Sequence, residues 1–339
     1  MKALLIVLLL AAQQPDDVLQ KIGAAARLVD EGKVDKAIAA LERIVAEHPD
    51  NETAKYELAL AYTVAGDAEN CRKILEPLAA TDRVNILGML GNCLDELGQT
   101  EKAIAMYRRA LKLAPADSQA AYNLAVTLSR EGKAGEAREL LETDTRANPA
   151  HASAHLFLGT VFEAQNFRVP AVMSYLRFLA LEASPRAKDA ATRLQALLDL
   201  GVEQTKAGGN VTIDSEAPKD EGDYAPVAMG FALASAGRLL PEKEKLSDFE
   251  KVRQQVASSI AMFVELTADH NDYTAAVHRP FFAAMQKETL VDTFAGIAIT
   301  PLRLRGTDEW VTRHIAELTR YSKWITPQME RAGLMLPPK

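Results

Sequence analysis

The chain has 339 residues, is 48% hydrophobic and carries a formal net charge of -7. That length accommodates two structural units with cores of ordinary size. The acidic balance, with no dense Lys/Arg run interleaved with aromatics, excludes a nucleic-acid groove, and two cysteines make no zinc cluster.

In chain order, Met1-Lys2 precedes an apolar run from Ala3 to Ala12 that closes on small residues ahead of Gln13-Gln14-Pro15, the layout of a signal peptide over residues 1–12. The run is about half of the roughly 20 residues that a spanning helix requires, so no stable membrane span is expected.

From Val18 onward the chain repeats a helix-turn-helix pattern with a period of 34 residues, and units begin near 18, 52, 84, 118 and 152. The unit from Val84 shows the frame most fully: Leu87, Leu90, Gly91, Leu94, Ala103, Tyr107, Ala110 and Pro115 occupy positions 4, 7, 8, 11, 20, 24, 27 and 32. One period later Leu124, Ala125, Leu128, Ala137, Leu141 and Pro149 fill it again, and only Asp144 stands where a small residue belongs. Ala25, Leu28, Ala37, Leu41 and Pro49 do so in the first unit, and Leu58, Ala59, Tyr62, Cys71 and Leu75 in the second, which is two residues short. The fifth, with Leu158, Gly159, Phe162, Ala171 and Tyr175, is the least regular, because Asn166 replaces the turn glycine. Gly32, Gly66, Gly98 and Gly132 fall between helix A and helix B, where a left-handed residue ends the first helix at little steric cost. Residues 185–200 form a single amphipathic stripe, read as a cap helix that solvates the open end of the array.

Composition then shifts: residues 202–223 are rich in Gly, Asp, Glu, Lys and Pro and read as a linker. Beyond it the 34-residue frame stops, and helical spacing predicts elements at about 225–240, 247–268, 272–287, 290–299 and 308–325. Ser247-Asp248-Phe249-Glu250 is a capping box, Thr307 is expected as an N-cap, and Pro280 should kink or split its helix. No run here alternates as a strand does. Trp310, Tyr321 and Trp324 are assigned to the core of this 224–339 helical domain rather than to a docking face.

The repeat frame resembles the tetratricopeptide repeat family, and the resemblance covers residues 16–201. It implies an all-α fold, an α-α superhelical solenoid of about five repeats with a cap helix, followed by a small helical unit that resembles no recognised family. It also implies a non-enzymatic scaffold that holds a protein or peptide partner. With the leader, it points to an exported, periplasmic or secreted protein. In this family helix A lines the groove, which selects Tyr56, Asn85, Asn92, Gln119, Tyr122, Asn123, Arg130 and Glu163 as the partner-binding set, alongside Thr63, Asp95, Glu96, Ser129 and Thr160. Asn123 matches an Asn that family members use to hold a peptide backbone. The subclass that clamps a terminal carboxylate needs a Lys where Gly88 stands, and it is not supported.

Cys71 in one helix B and Cys93 in the following helix A fall on neighbouring helices; a disulfide between repeats and two buried thiols both fit that placement. His151 and His155, at i and i+4, lack a third ligand in sequence, so no metal is expected and both are assigned to solvent. His270, His278 and His314 have acidic neighbours but no nucleophile motif, so no catalytic residue is assigned. Neither a cofactor nor a small-molecule ligand is expected. Two rival readings remain: an enzyme seated at those histidines, with the repeats as a targeting arm, and a structural subunit of an envelope complex. The residues from 14 to 203 are expected to fold without the second unit, because repeats interact mainly with their neighbours.

Overall fold

The computed structural model describes residues 15–204, 211–213 and 224–330; the leader expected at 1–12, most of the 202–223 segment and residues 331–339 lie outside them. By packing, the chain divides into residues 1–132 and 133–339.

The first unit holds α1 (Pro15–Asp30), α2 (Val34–Glu47), α3 (Glu52–Val64), α4 (Ala68–Leu75), α5 (Val84–Glu96), α6 (Thr100–Leu113) and α7 (Ser118–Arg130). Short polar residues start α3, α4 and α7: the side chains of Asn51, Asp67 and Asp117 accept from the backbone N–H of Ala54, Asn70 and Ala120 at 2.9, 3.0 and 2.7 Å. Glycine ends the A helices. At the close of α3, Gly66 (φ 76°) donates to Thr63 O at 3.0 Å and Asp67 N to Tyr62 O at 2.8 Å, which satisfies two carbonyls the helix would leave open. The short second repeat finishes differently. Its Glu76–Thr81 segment is a 3-10 helix, and left-handed Asp82 (φ 54°) turns the chain where other repeats carry proline.

The frame predicts the core. Ala37, Cys71 and Ala103, all at position 20, are 0% exposed, and the A helices α1, α3, α5 and α7 pack side by side. At position 8, Gly91 lies so close to the Tyr107 ring that an added Cβ would stand 2.5 Å from Cε1. The sulfurs of Cys71 and Cys93 are bonded, with Cα atoms 6.0 Å apart, tying α4 to α5.

The second unit holds α8 (Ala134–Ala147), α9 (Ala152–Ala164), α10 (Arg168–Leu181) and α11 (Ala187–Asp199), then β1 (Val202–Gln204) and β2 (Val211–Ile213). These are followed by α12 (Ala225–Gly237), α13 (Asp248–Leu266), α14 (Tyr273–Lys287), α15 (Val291–Ile299), α16 (Thr307–Arg313) and α17 (Ile315–Glu330). Asn166 takes the left-handed turn (φ 61°) in place of glycine and keeps the same pair of closing bonds, Asn166 N to Glu163 O at 3.0 Å and Phe167 N to Phe162 O at 2.8 Å. Within the linker segment β1 and β2 pair antiparallel, Val202 against Ile213, a ladder that no alternation in the sequence announces.

α10 organises this unit. All of its residues are buried, because it packs on α9 and α11 as a repeat helix should and also on α12, α14, α15 and α17. Apart from Arg168 and Arg177, which donate to backbone carbonyls, the helix carries no charge on any face and needs partners on every face. Arg168 donates to Leu197 O at 2.8 Å, Tyr321 OH to Ala180 O at 3.2 Å, and Thr145 Oγ1 lies 2.7 Å from Tyr273 OH. Asp199 at the end of α11 receives Ser235, Arg238 and Gln255 at 2.5, 2.7 and 2.9 Å, joining that helix to α12 and α13.

Three expectations are adjusted. The last predicted helix is two, α16 and α17, with the break at His314, and Thr307 is the first residue of α16 rather than its cap. Pro280 stays within the single helix α14. Pro280 and Ala276, whose carbonyl it deprives of a donor, are both exposed, so water can take that bond.

Candidate functional site

The A helices bring most of the predicted groove residues to one place. Thr63 from α3, Asn92, Asp95 and Glu96 from α5, and Gln119, Tyr122, Asn123 and Val126 from α7 line a cleft of about 300 Å³, with Tyr107 from α6 behind them. The side chains form a connected polar ladder. Gln119 Nε2 donates to Asn123 Oδ1 at 2.9 Å, Asn123 Nδ2 donates to Asn92 Oδ1 at 2.7 Å, and Tyr107 OH donates to the same oxygen at 2.8 Å. Arg130 pairs with both oxygens of Asp95. Burial pushes the Tyr107 phenol well above its ordinary range, so it stays a donor at any physiological pH.

The other predicted residues stand apart from this cleft. Tyr56 is half-buried on α3, and Asn85 is exposed at the start of α5. Glu163 belongs to the second unit, where its carboxylate accepts from Tyr175 OH at 2.7 Å and from Arg193 Nη1 at 3.1 Å. Tyr107 was legible only as a core residue: its position in the frame assigns the ring to packing, and nothing in the spacing reveals that the hydroxyl reaches the ladder.

The histidines resolve into separate settings. His151 Nδ1 is 2.5 Å from Asp144 Oδ2, and Asn148 Nδ2 donates to Asp144 Oδ1 at 3.1 Å. Asp144 therefore holds the turn between α8 and α9, which accounts for a carboxylate at a position that is otherwise small. The assignment of His155 to solvent is corrected: it is 0% exposed, its Nε2 lies 3.0 Å from Pro149 O, and its ring faces His278 at 5.5 Å between centroids. Helix α10, packed by the C-terminal helices, closes over what the repeat frame alone leaves open. Burial pushes His155 down to about 3, and His278, with no partner for either ring nitrogen, well below its ordinary value. His270 meets Tyr224 edge-on and lies 3.7 Å from Asp272, while His314 stacks on Trp310 and its Nδ1 lies 2.8 Å from Trp310 O. Among the described residues no group of His, Cys, Asp and Glu is arranged to hold a metal. Trp310 and Tyr321 are buried; a Cβ on Gly296 would strike the Trp310 ring at 2.2 Å.

The sequence profile described as tetratricopeptide repeat matches residues 28–87 and 96–159. Among solved structures, PilF of Pseudomonas aeruginosa is 18% identical, with a TM-score of 0.50 over 55% of this chain and 84% of its own. TTC0263, a thermophilic TPR protein of Thermus thermophilus, is 17% identical over 54% of this chain and all of its own, with a TM-score of 0.46. MamA is 22% identical over 45% of this chain and 91% of its own, with a TM-score of 0.41. At these identities the likeness is one of fold. No curated protein matches the chain. The matched spans lie within the 34-residue frame, with its left-handed turns and its buried small residues, and over residues 28–87 and 96–159 the chain carries tetratricopeptide repeats.

Proposed function

We propose that this chain is a non-enzymatic scaffold that holds an extended segment of a protein partner against the A helices of its first unit. The observation that carries this reading is the polar ladder from Gln119 through Asn123 to Asn92 along an open cleft. Each link leaves amide capacity unspent. Asn123 uses one of two N–H groups and one lone pair within the protein, and the Asn92 oxygen accepts twice while its own nitrogen keeps its donors. An extended backbone presents alternating donors and acceptors to such a row. The Tyr122 side chain supplies area, and the Asp95–Arg130 pair marks a charged edge. The leader at 1–12 and the Cys71–Cys93 bond support an exported protein working in an oxidising compartment. Among the described residues no helix is long and apolar enough to cross a membrane.

The test is capture of partners from the cell envelope with the full chain, then calorimetry on the partner segment. Asn123→Ala should weaken binding by about 1–3 kcal/mol, because it strands partner groups, and should change stability by no more than about 1 kcal/mol. Arg109→Ala, whose exposed side chain pairs with Asp82, should leave binding unchanged. Equal affinities in parent, mutant and control would reject the groove.

A further inference from the structure

A second cleft, of about 560 Å³, opens in the second unit between α8, α10, α14 and α17. One wall carries Pro149, Ala276, Val277, Pro280, Phe281 and Ala284, all apolar, and the opposite side carries Arg146 and Arg177. Among the described residues no acidic side chain contributes to the lining.

Arg177 is the unusual member. It is 5% exposed, its Nε and Nη2 both donate to Pro149 O at 3.2 and 3.1 Å, and its Nη1 has no acceptor. The Phe281 ring lies 3.6 Å from its Cζ, and no carboxylate is among its hydrogen-bond partners. The bonds to Pro149 O explain why an arginine pins the turn between α8 and α9 to α10. They do not explain why a full positive charge stays buried without a counter-ion. Removing a guanidinium from water costs several kcal/mol unless an anion faces it, and a ring face recovers only part of that. Among the described residues that face it none supplies the anion: His155 and His278 are buried bases, and Tyr273 and Tyr321 are phenols held protonated by burial, while Glu142, within range of Tyr273 and Arg146, is paired with Arg138 at 3.4 Å. Arg146, exposed at the rim with its Cζ 5.1 Å from the Tyr273 ring, adds a second positive charge to the same opening.

From this charge pattern we infer that the cleft binds a small organic molecule carrying one carboxylate on an apolar body. The carboxylate meets the guanidinium of Arg177, a lining residue whose buried Nη1 is unpartnered, with Arg146 at the rim, a planar match of fork and anion that a lysine would not offer. The apolar body lies along Ala276, Val277, Pro280 and Ala284 on α14. The volume suits such a ligand and not a folded partner. This site is independent of the groove in the first unit and would make the protein a sensor of such an acid as well as a scaffold.

The experiment is calorimetric titration of the full chain with octanoate and with phenylbutyrate, each compared with its neutral amide and with acetate. Saturable binding of at least one of the two acids is expected, with its amide and acetate at least about tenfold weaker, since the charged pairing and the apolar wall are both required. Ala284→Phe fills the wall from an exposed position, and Arg146→Gln removes the rim charge; each should weaken binding, the first by at least about tenfold. Arg177→Gln, checked for folding by circular dichroism, should abolish the preference for acid over amide. If that variant does not fold, Ala284→Phe decides alone. The inference is overturned if neither acid saturates below about 10 mM, if acid and amide bind alike, or if Ala284→Phe leaves the acid's affinity unchanged.

Discussion

Positions 8 and 24 of each repeat exchange volume with one another. Gly91 faces Tyr107 and Gly159 faces Tyr175, whereas Ala25, Ala59 and Ala125 share their repeats with Leu41, Leu75 and Leu141. A large ring from helix B is admitted only where helix A gives up its Cβ. Gly91→Ala should therefore cost about 1–3 kcal/mol by overpacking against Tyr107. In a Tyr107→Leu background the same change should become neutral or stabilising, because alanine favours a helix interior by about 1 kcal/mol over glycine. Urea midpoints of the four proteins measure this coupling, and simple additivity would contradict it. The buried histidines act at the same scale. His155, faced by Arg177, His151 and His278, and His278, faced by His155, Arg177 and Tyr273, stay neutral in the fold, while each takes up a proton near pH 6.5 when unfolded. The unfolded state then binds more protons, so stability falls as pH drops below about 6.5, by up to about 1.4 kcal/mol per pH unit for each histidine. Stability measured between about pH 6.5 and 4.5, above the ordinary carboxylate range, should show this slope, and His278→Leu should halve it.

Elements here are held by what they are tied to. The Cys71–Cys93 bond joins α4 to α5 across a sequence separation of 22 residues, just where the second repeat loses its regular ending to a 3-10 turn. Closing a loop of that length should stabilise the first unit by about 2–4 kcal/mol. Reductant, or Cys71→Ala, should lower the urea midpoint accordingly, and a thiol assay on the denatured, unreduced protein should find no free cysteine. An unchanged midpoint would mean that the turn and its packing hold the junction unaided. α10 shows the opposite case, an element with no cross-link and no exposed face. Its lack of charges after Arg168, apart from Arg177, was the available sign that helices outside the repeat array cover it.

At the scale of the molecule, packing separates residues 1–132 from 133–339, so the division falls within repeat four rather than in the composition break at 202–223. The physical reason is α10: once α12, α14, α15 and α17 share its surface, repeat five and the C-terminal helices have one core. Against the expectation that residues 14–203 fold unaided, this packing predicts that the fragment leaves part of a helix buried on every face in water, and that it aggregates or binds a hydrophobic dye where the full chain does not. A monomeric fragment that unfolds as cooperatively as the parent would restore the simpler boundary.

What the sequence by itself determined was everything governed by short-range periodicity. The repeat starts, the left-handed turns at Gly32, Gly66, Gly98 and Gly132 and the small residues at position 20 follow from spacing within one or two helices, while the grouping of Asn92, Gln119, Tyr122 and Asn123 came from the family resemblance that this spacing carried. The start of α13 followed from its cap at Ser247. Tertiary structure alone decided which apolar face meets which. A periodic stripe reports that a residue must be covered, not by what, and contacts such as Thr145 with Tyr273, 128 residues apart, leave no local trace. The burial of His155 and His278 and the charge of Arg177 without a counter-ion belong to that second kind, because each depends on helices far apart in sequence closing over one another.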